Sequence, residues 1–233
     1  MKKKVLVGLL VLALAVAGLS AKDLGIKVGG ELGWGIDIGR LKIMDEDYGD
    51  LMYKAINNGF AANLTGEYDF NENWGVKATF GMMFAGKTKM IISAEGTTHS
   101  EKVKKNAGLY IDAAVDAKYT YAINDKISVS GLAGFELVSG CLTRSLEFNM
   151  ATLGTLSEEE IADKMKNTAF GINLAAEGAY KITDDISVTG GVNFAWFFVN
   201  NAKFLDTMKQ AGEKFSGATT FYIRPYVGAT YSF

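Results

Sequence analysis

The feature that most constrains this chain is a period of two that returns along its whole length. Apolar residues occupy alternate positions from Ile26 to Ile38, and residues such as Lys27 and Asp37 fall between them. Alternation over so long a run predicts a β-strand longer than those of most globular sheets. The pattern returns seven more times, in segments that begin near residues 60, 74, 109, 127, 170, 186 and 221.

The connections between the eight predicted strands alternate between short and long. The short ones are Asn71–Asn73, Asn124–Lys126 and Thr183–Asp185. Polar turn-forming residues between two alternating runs predict tight β-hairpins. Short and long connections therefore lie at opposite ends of the sheet, and the long ones are predicted as loops: Arg40–Asn57, Lys87–Asn106, Gly140–Asn167 and Asn201–Thr219.

Two of the long connections carry a helical pattern. Ser157 and Glu160 form a capping box, and Ile161 and Met165 follow at helical spacing, which predicts a short helix in the third loop. A second helix is predicted in the fourth loop from four residues at similar spacing: Phe204, Met208, Ala211 and Phe215.

The two faces of the predicted strands distinguish a membrane barrel from a soluble sandwich. The bulky apolar side chains share one face, while the other face is mostly Gly, Ala, Ser and Thr with a few charges. A soluble sandwich turns its apolar face inward, whereas a membrane barrel turns it toward lipid. An open sheet edge cannot exist in hydrocarbon, so the sheet must close. The sequence predicts an all-β fold, an eight-stranded antiparallel up-and-down transmembrane β-barrel.

Aromatic residues on the apolar face fall into two bands, which fit the two membrane–water interfaces. Trp34 and Trp196 lie toward the long loops. The other band lies beside the short turns and contains Trp74, Tyr121, Tyr180, Tyr231 and Phe233. We predict that these bands are the aromatic belts of the barrel.

The last eight residues, Tyr226 to Phe233, alternate and end in phenylalanine. With this ending, the chain from Lys22 to Phe233 resembles the eight-stranded bacterial outer-membrane barrels of the OmpA transmembrane domain, OmpX and OmpW type. The resemblance implies periplasmic short turns, extracellular long loops and recognition of Phe233 by the barrel-insertion machinery. It also leads us to expect no further domain after Phe233. No loop motif points to one member, so the resemblance is to an architecture.

The first residues have the layout of a secretory signal peptide. Lys2 to Lys4 precede an uncharged run, Val5 to Leu19, and small residues follow. We expect residues 1–21 to be a signal peptide cleaved after Ala21, with Ala17 as the alternative, and residues 22–233 to form the barrel domain in the cell outer membrane. A retained N-terminal anchor is the other possibility. Of the 24 basic residues three lie in the signal, so the mature chain is acidic and no nucleic-acid partner is expected.

Charged residues on the inward face are the strongest candidates for a site. Glu67 and Lys77 are equidistant from Glu72 in the first short turn, so they should oppose one another across two strands. The other members of the predicted lumen network are placed farther from the turns: Glu31, Asp116, Lys118, Glu136, Glu177 and Arg224. An eight-stranded barrel is just wide enough to be filled by side chains, so these charges should pair and plug it. A narrow, gated conduction path through the network is the alternative.

Catalytic and metal chemistry find little support in the sequence. A lipid-modifying barrel enzyme would need a Ser activated by a His, and the one histidine, His99, stands beside Ser100 in a predicted loop. With one His and one Cys there is no metal-ligand spacing, and Cys141 alone forms no intramolecular disulfide. We therefore predict a non-enzyme without cofactor or metal.

Partners are expected at the surface of the barrel. The lipid-facing belt implies outer-membrane lipids, and the long loops imply a host or surface ligand because loops on a rigid scaffold commonly carry recognition. The second loop is basic. Three hypotheses follow: a plugged structural or surface-interaction barrel, a narrow OmpW-like channel for small molecules, and a lipid-modifying enzyme. Pro225 adds one local expectation, a bulge or gap in the last strand.

Overall fold

The computed structural model describes residues 25–45, 49–94, 97–103, 108–140, 167–200 and 214–233. These residues form nine β-strands: β1 (Ile26–Asp45), β2 (Gly49–Asp69), β3 (Trp74–Ala94), β4 (Thr97–Val103), β5 (Gly108–Ala122), β6 (Ile127–Gly140), β7 (Asn167–Lys181), β8 (Ile186–Asn200) and β9 (Lys214–Ser232). No helix long and apolar enough to cross a membrane occurs in these ranges. The predicted helix at Ser157–Met165 and Cys141 lie outside the described residues, as do residues 1–24.

Eight of the nine strands close into a barrel. Each pairs antiparallel with its neighbours, and the circle is completed by β1 on β9 and by β2 on β3. The remaining strand, β4, pairs only with the outer part of β3. Closure leaves no open edge within the eight strands, as a sheet in hydrocarbon requires. The predicted eight-stranded antiparallel barrel is confirmed.

The three short hairpins share one local geometry because they share one sequence phrase. In the first, Oδ1 of Asn71 accepts hydrogen bonds from the backbone N–H groups of Asn73 and Trp74, both at 2.9 Å. Asn124 does the same for the second hairpin, and Thr183 Oγ1 accepts from the N–H of Ile186 at 3.0 Å in the third. A side-chain oxygen that satisfies the turn's own backbone explains why these short polar segments reverse the chain.

The outer ends of the first strands differ from the prediction. Arg40–Asn57 was expected to be a loop, but β1 continues to Asp45 and β2 begins at Gly49. Within the predicted loop Lys87–Asn106, β3 continues to Ala94 and β4 follows. Backbone pairing sustains these extensions after the apolar alternation has ended, because outside the lipid the outward face has no need of apolar side chains.

Two smaller expectations are also resolved. Phe215 was assigned to a predicted helix but lies in β9, which begins at Lys214. Beside Pro225, the pairing of β1 with β9 is interrupted at Trp34 and Gly35, and it resumes beyond them with the same register. Since proline has no N–H to donate, the ladder has the local gap that was expected there.

Most of the bulky apolar side chains point outward, as predicted. They form ring contacts near both ends of the barrel. Toward the short turns, Trp74 packs on Tyr119 with centroids 4.9 Å apart, and Tyr231 on Phe233 at 5.0 Å. Toward the long connections, Phe170 packs on Phe135 and Phe198. The seven aromatic residues assigned to the belts all lie on this outward surface: Trp34, Trp74, Tyr121, Tyr180, Trp196, Tyr231 and Phe233.

Candidate functional site: the filled lumen

The ammonium group of Lys77 is the centre of the lumen network. Its Nζ lies 2.5 Å from Oε2 of Glu177 and 2.7 Å from Oε1 of Glu31, while Oε1 of Glu67 is 3.6 Å away. The ring of Tyr226 lies beneath the same Nζ, 5.5 Å from its centroid. Three carboxylates and a π-face therefore surround one buried cation, which compensates the cost of removing it from water.

A second cation completes the lower layer of the network. Lys118 Nζ donates to Oε2 of Glu67 and lies 3.8 Å from Oε1 of Glu177. Glu177 also accepts a hydrogen bond from the Tyr226 hydroxyl at 2.9 Å. Glu67 and Glu177 thus bridge the two lysines, and five strands are tied together across the lumen.

Arg224 lies above this layer and connects it to a second group of acids. Its guanidinium is 3.6 Å from Oδ2 of Asp112 and 4.0 Å from Oε2 of Glu31. The rings of Tyr222 and Tyr226 lie within 5.8 and 6.0 Å of its Cζ. The arginine is therefore held between two carboxylates and two aromatic rings in the middle of the barrel.

Amide side chains hold further carboxylates of this middle layer. Asn173 Nδ2 donates to both oxygens of Asp116, at 2.9 and 3.0 Å, and Asn193 Nδ2 donates to Glu136 at 3.3 Å. Among the described residues the buried charged side chains are seven acids and three cations: Glu31, Asp37, Glu67, Asp112, Asp116, Glu136 and Glu177 with Lys77, Lys118 and Arg224. The acids outnumber the cations, and the amides of Asn173 and Asn193 contact two of the acids.

An apolar layer covers the network toward the end with the long connections. Phe197 and Met83 are almost fully buried, and they belong to one cluster of inward side chains with Tyr110, Val138 and Tyr222. Small residues complete the cluster: Ala61, Ala169 and Ala195. The lumen is therefore layered, with ion pairs below and a mainly apolar layer above, where buried Asp37 is opposite Tyr222 in register.

Little space remains inside. The gap beside Glu31, Lys77 and Arg224 has a volume of about 10 Å³, and the gap beside Met83 and Tyr222 is equally small. Such a volume is near the least that can hold one water molecule. The described part of the lumen is filled by its own side chains.

Inward-facing glycines make this filling possible. A Cβ at Gly191 would lie 2.7 Å from the Tyr226 hydroxyl, and one at Gly228 would lie 3.0 Å from Cγ of Glu31. Both distances are too short for carbon contacts, so these positions leave room for the long side chains opposite them.

All eight residues assigned to the network from the sequence are buried in the lumen: Glu31, Glu67, Lys77, Asp116, Lys118, Glu136, Glu177 and Arg224. Glu67 and Lys77 are directly opposite in register. Glu31, Lys118 and Glu177, which were placed farther from the turns, contact this pair through their side chains. Strand tilt around a barrel brings residues at different distances from the turns to one level.

Sequence reasoning missed several residues of the site. Asp112 and Tyr226 were placed on the inward face without a role, and the apolar layer was not expected at all. Alternation contained a signal for it, since Phe197 stands between outward-facing Trp196 and Phe198 and must therefore point inward. His99 was predicted to lack a strand frame, yet it lies in β4, opposite Ile92.

Comparison with known sequences identifies the family. The sequence model of the outer membrane protein beta-barrel domain matches residues 7–212. The chain belongs to the outer membrane protein beta-barrel domain family. It is a protein of the cell outer membrane, in keeping with its closed barrel and apolar exterior. No curated protein matches it in sequence.

Solved structures with a similar fold include outer-membrane barrels of different kinds. Neisserial surface protein A is 10% identical, with 90% of this chain and 97% of that chain covered and a TM-score of 0.48. Ail, the attachment invasion locus protein of Yersinia pestis, is 15% identical, with 87% and 97% covered and a TM-score of 0.36. The Escherichia coli outer membrane protease OmpT is 10% identical, with 91% and 97% covered and a TM-score of 0.38.

Proposed function

We propose that this outer-membrane barrel has a structural or surface-interaction role, with a sealed lumen and a recognition surface on its extracellular strands. The observation that carries the proposal is the filled lumen, in which an ion-pair network lies below an apolar layer. Transport would require both layers to part. Recognition requires only the outer surface.

The energetics of the network favour a static seal. Lys77 contacts three carboxylates, so moving it would strand buried charges, and breaking a buried pair by removing one partner costs about 3–5 kcal/mol. The apolar layer adds a second barrier, because the gap beside Met83 and Tyr222 has a volume of only about 10 Å³, which is too small for a hydrated ion. Two unlike barriers in series support a lumen that does not conduct.

The extracellular strands supply the surface for interaction. Trp34 lies opposite Phe60 in the loop-end belt, and β1 and β2 remain paired beyond it as far as Asp45 and Gly49. The hairpin of β3 and β4 extends the sheet in the same direction. Paired strands that pass beyond the belt form a rigid platform, on which exposed residues can meet lipids or a ligand.

Planar-bilayer recording tests the seal. Wild-type protein, Glu67→Gln and Arg224→Gln are each reconstituted after heat-modifiable gel migration has shown that they are folded. We expect negligible current from wild type and both variants. Discrete wild-type current steps whose size changes with either substitution would contradict the seal and favour the alternative, a narrow channel for small molecules.

The surface role has its own test. The segment 87–106, which includes the β3–β4 hairpin, is exchanged for a short Gly-Ser turn, and binding of cells and of lipid vesicles is measured. We expect binding to fall while the barrel remains heat-modifiable. Unchanged binding would count against a recognition role for this hairpin.

The proposal assigns no catalytic activity to the chain. Its one histidine, His99, lies in β4 and not in the lumen, and within the described ranges no three His, Cys, Asp or Glu residues form a metal-binding group. We expect His99→Ala to leave the lipid A species of expressing cells as the wild type leaves them. A lipid modification made by the wild type and lost in this variant would establish an enzyme.

A further inference from the structure

A set of cations shares the outward face of β1–β4 just above the loop-end belt. Arg40 is exposed, and it lies directly opposite Lys54 in the register of β1 and β2. Gly39, the neighbour of Arg40, is buried on the inward face. Since side chains alternate along a strand, Arg40 and Lys54 belong to the outward face.

Register extends this face to the next two strands. Ile56, two positions from Lys54, is opposite Lys89 of β3, and Lys89 is opposite Lys102 of β4. Cross-strand partners occupy one face, so Lys89 and Lys102 are on the same side of the sheet as Lys54. Alternation and pairing place six positions there, which we call the basic face: Arg40, Lys42, Lys54, Lys87, Lys89 and Lys102.

Two pairs of cations on the basic face are directly opposite one another: Arg40 with Lys54, and Lys89 with Lys102. Lys54 has Arg40 directly across and Lys42 and Lys89 at diagonal positions, and none of these neighbours is acidic. Asp50, which is diagonal to Lys42, is an acid on the same face. Like charges in direct opposition destabilise a sheet. Elsewhere the chain matches its charges, as in the ion pair of Lys27 with Asp69 at 2.6 Å. In a chain of net negative charge, this grouping is suited to binding an external anion.

The position of the basic face selects the kind of anion. Trp34 and Phe60 mark the interface. Between them and the cations Arg40 and Lys54 lie four positions on the two strands: Ile36, Ile38, Ile56 and Asn58. A surface that passes from aromatic to mainly isoleucine to cation matches a lipid entering its headgroup region. The guanidinium of Arg40 can bind a phosphate through two parallel hydrogen bonds, and the lysines add point charges.

We propose that the basic face binds the phosphate groups of anionic lipids in the extracellular leaflet. The inference goes beyond the proposed function, because it holds whether or not the lumen conducts. It also names a chemical partner for the strand extensions of β1–β4. A soluble polyanion would offer similar charge without acyl chains, and the experiment below distinguishes the two sources.

Native mass spectrometry of the folded barrel in neutral detergent measures this binding, with diphosphoryl lipid A and its dephosphorylated form as probes. The test variant is Arg40→Gln/Lys54→Gln. The matched control is Lys126→Gln/Lys181→Gln, which removes two cations at the periplasmic end. A lipid–cation contact near the membrane is worth about fivefold in affinity, so the test variant should bind diphosphoryl lipid A about 25-fold more weakly. The control should remain within about twofold of wild type.

Three results would overturn the proposal. The first is equal binding by the test variant and the wild type. The second is equal binding of the phosphorylated and dephosphorylated lipids by the wild type. The third is full displacement of the lipid by equimolar heparin, which would assign the basic face to a soluble polyanion. Heat-modifiable migration of every variant excludes loss of fold as the cause, and bilayer recordings report separately on the lumen.

Discussion

Gly35 and Met83 occupy adjoining space in the lumen, and the glycine is there because the methionine sulfur fills the place of its side chain. A Cβ at Gly35 would overlap Sδ of Met83 and would lie 2.8 Å from the ring of Tyr222. Both neighbours belong to the apolar layer. The close packing of this layer therefore depends on the absence of a single carbon atom on β1.

Gly35→Ala is expected to destabilise the barrel by about 1–3 kcal/mol, because the added methyl group forces Met83 and Tyr222 from their positions. The matched control is Gly66→Ala in β2, where an added Cβ would have no atom within 4 Å. Urea unfolding in detergent, followed by tryptophan fluorescence, measures both variants. Equal stability of the two would show that the apolar layer can rearrange at no cost.

Lys77→Met is expected to lower the free energy of unfolding by about 3–5 kcal/mol, since it leaves Glu31 and Glu177 without their nearest cation in a buried site. Lys126→Met, at an exposed turn position, controls for loss of a lysine. Adding Glu177→Gln to Lys77→Met should restore part of the loss, because one of the stranded charges is then removed. A double variant less stable than Lys77→Met would contradict the pairing.

Phe197→Ala is expected to destabilise the protein by about 3–5 kcal/mol through the cavity that it leaves, without opening a path for ions. The ion-pair layer below would still fill the lumen. The double variant Phe197→Ala/Lys118→Ala thins both layers and should show measurable current in planar bilayers. Current from Phe197→Ala alone would mean that the charged layer is permeable by itself.

The sequence predicts the barrel strongly because the physics of a membrane strand is local. Side chains on β5 alternate between the two faces of the sheet. This alternation alone assigns Tyr119 and Tyr121 to the outward face, without knowledge of the neighbouring strands. The short turns are equally local, since Asn71 and Asn124 satisfy backbone groups within three residues. Outside the lipid, outward-facing side chains are no longer required to be apolar. The lengths of β1 to β4 therefore could not be obtained from apolar periodicity.

The contents of the lumen depend on contacts across the barrel and were only partly predictable. Counting from a turn placed Glu67 opposite Lys77, but it could not show that Lys118 from β5 is the nearer cation to Glu67. That relation depends on strand tilt and barrel closure. Tyr226 likewise meets Glu177 across 49 residues of sequence, a contact that no local pattern contains.

Asn71→Ala is expected to destabilise the first hairpin by about 1 kcal/mol, because the N–H groups of Asn73 and Trp74 lose the side-chain oxygen that they share. Glu72→Ala in the same turn serves as the control and should be neutral, since Glu72 is exposed. Urea midpoints at equal unfolding slopes measure the difference. Equal effects of the two substitutions would contradict a stabilising role for the Asn71 side chain in this turn.

Phe233→Ala is expected to lower the amount of barrel assembled in cells more than it lowers the stability of the refolded protein. The backbone N–H of Phe233 donates to the carbonyl of Ile26 at 3.2 Å, and its ring contacts only Tyr231 among the described aromatic residues. The alanine variant keeps the backbone hydrogen bond and loses only the ring contact, so the stability of the refolded barrel should fall by only about 1 kcal/mol. Assembly would fall further if the insertion machinery reads the terminal ring.

Phe70→Ala provides the control for that comparison, because Phe70 is an outward ring at the same end of the barrel and contacts Tyr68 at 5.2 Å. Heat-modifiable barrel in outer-membrane fractions is measured beside urea midpoints of the refolded proteins. Assembly of the Phe70 variant should follow its stability, while assembly of the Phe233 variant should fall well below it. If the amount of assembled barrel falls in proportion to the loss of stability in both variants, Phe233 acts as an ordinary belt residue and carries no signal.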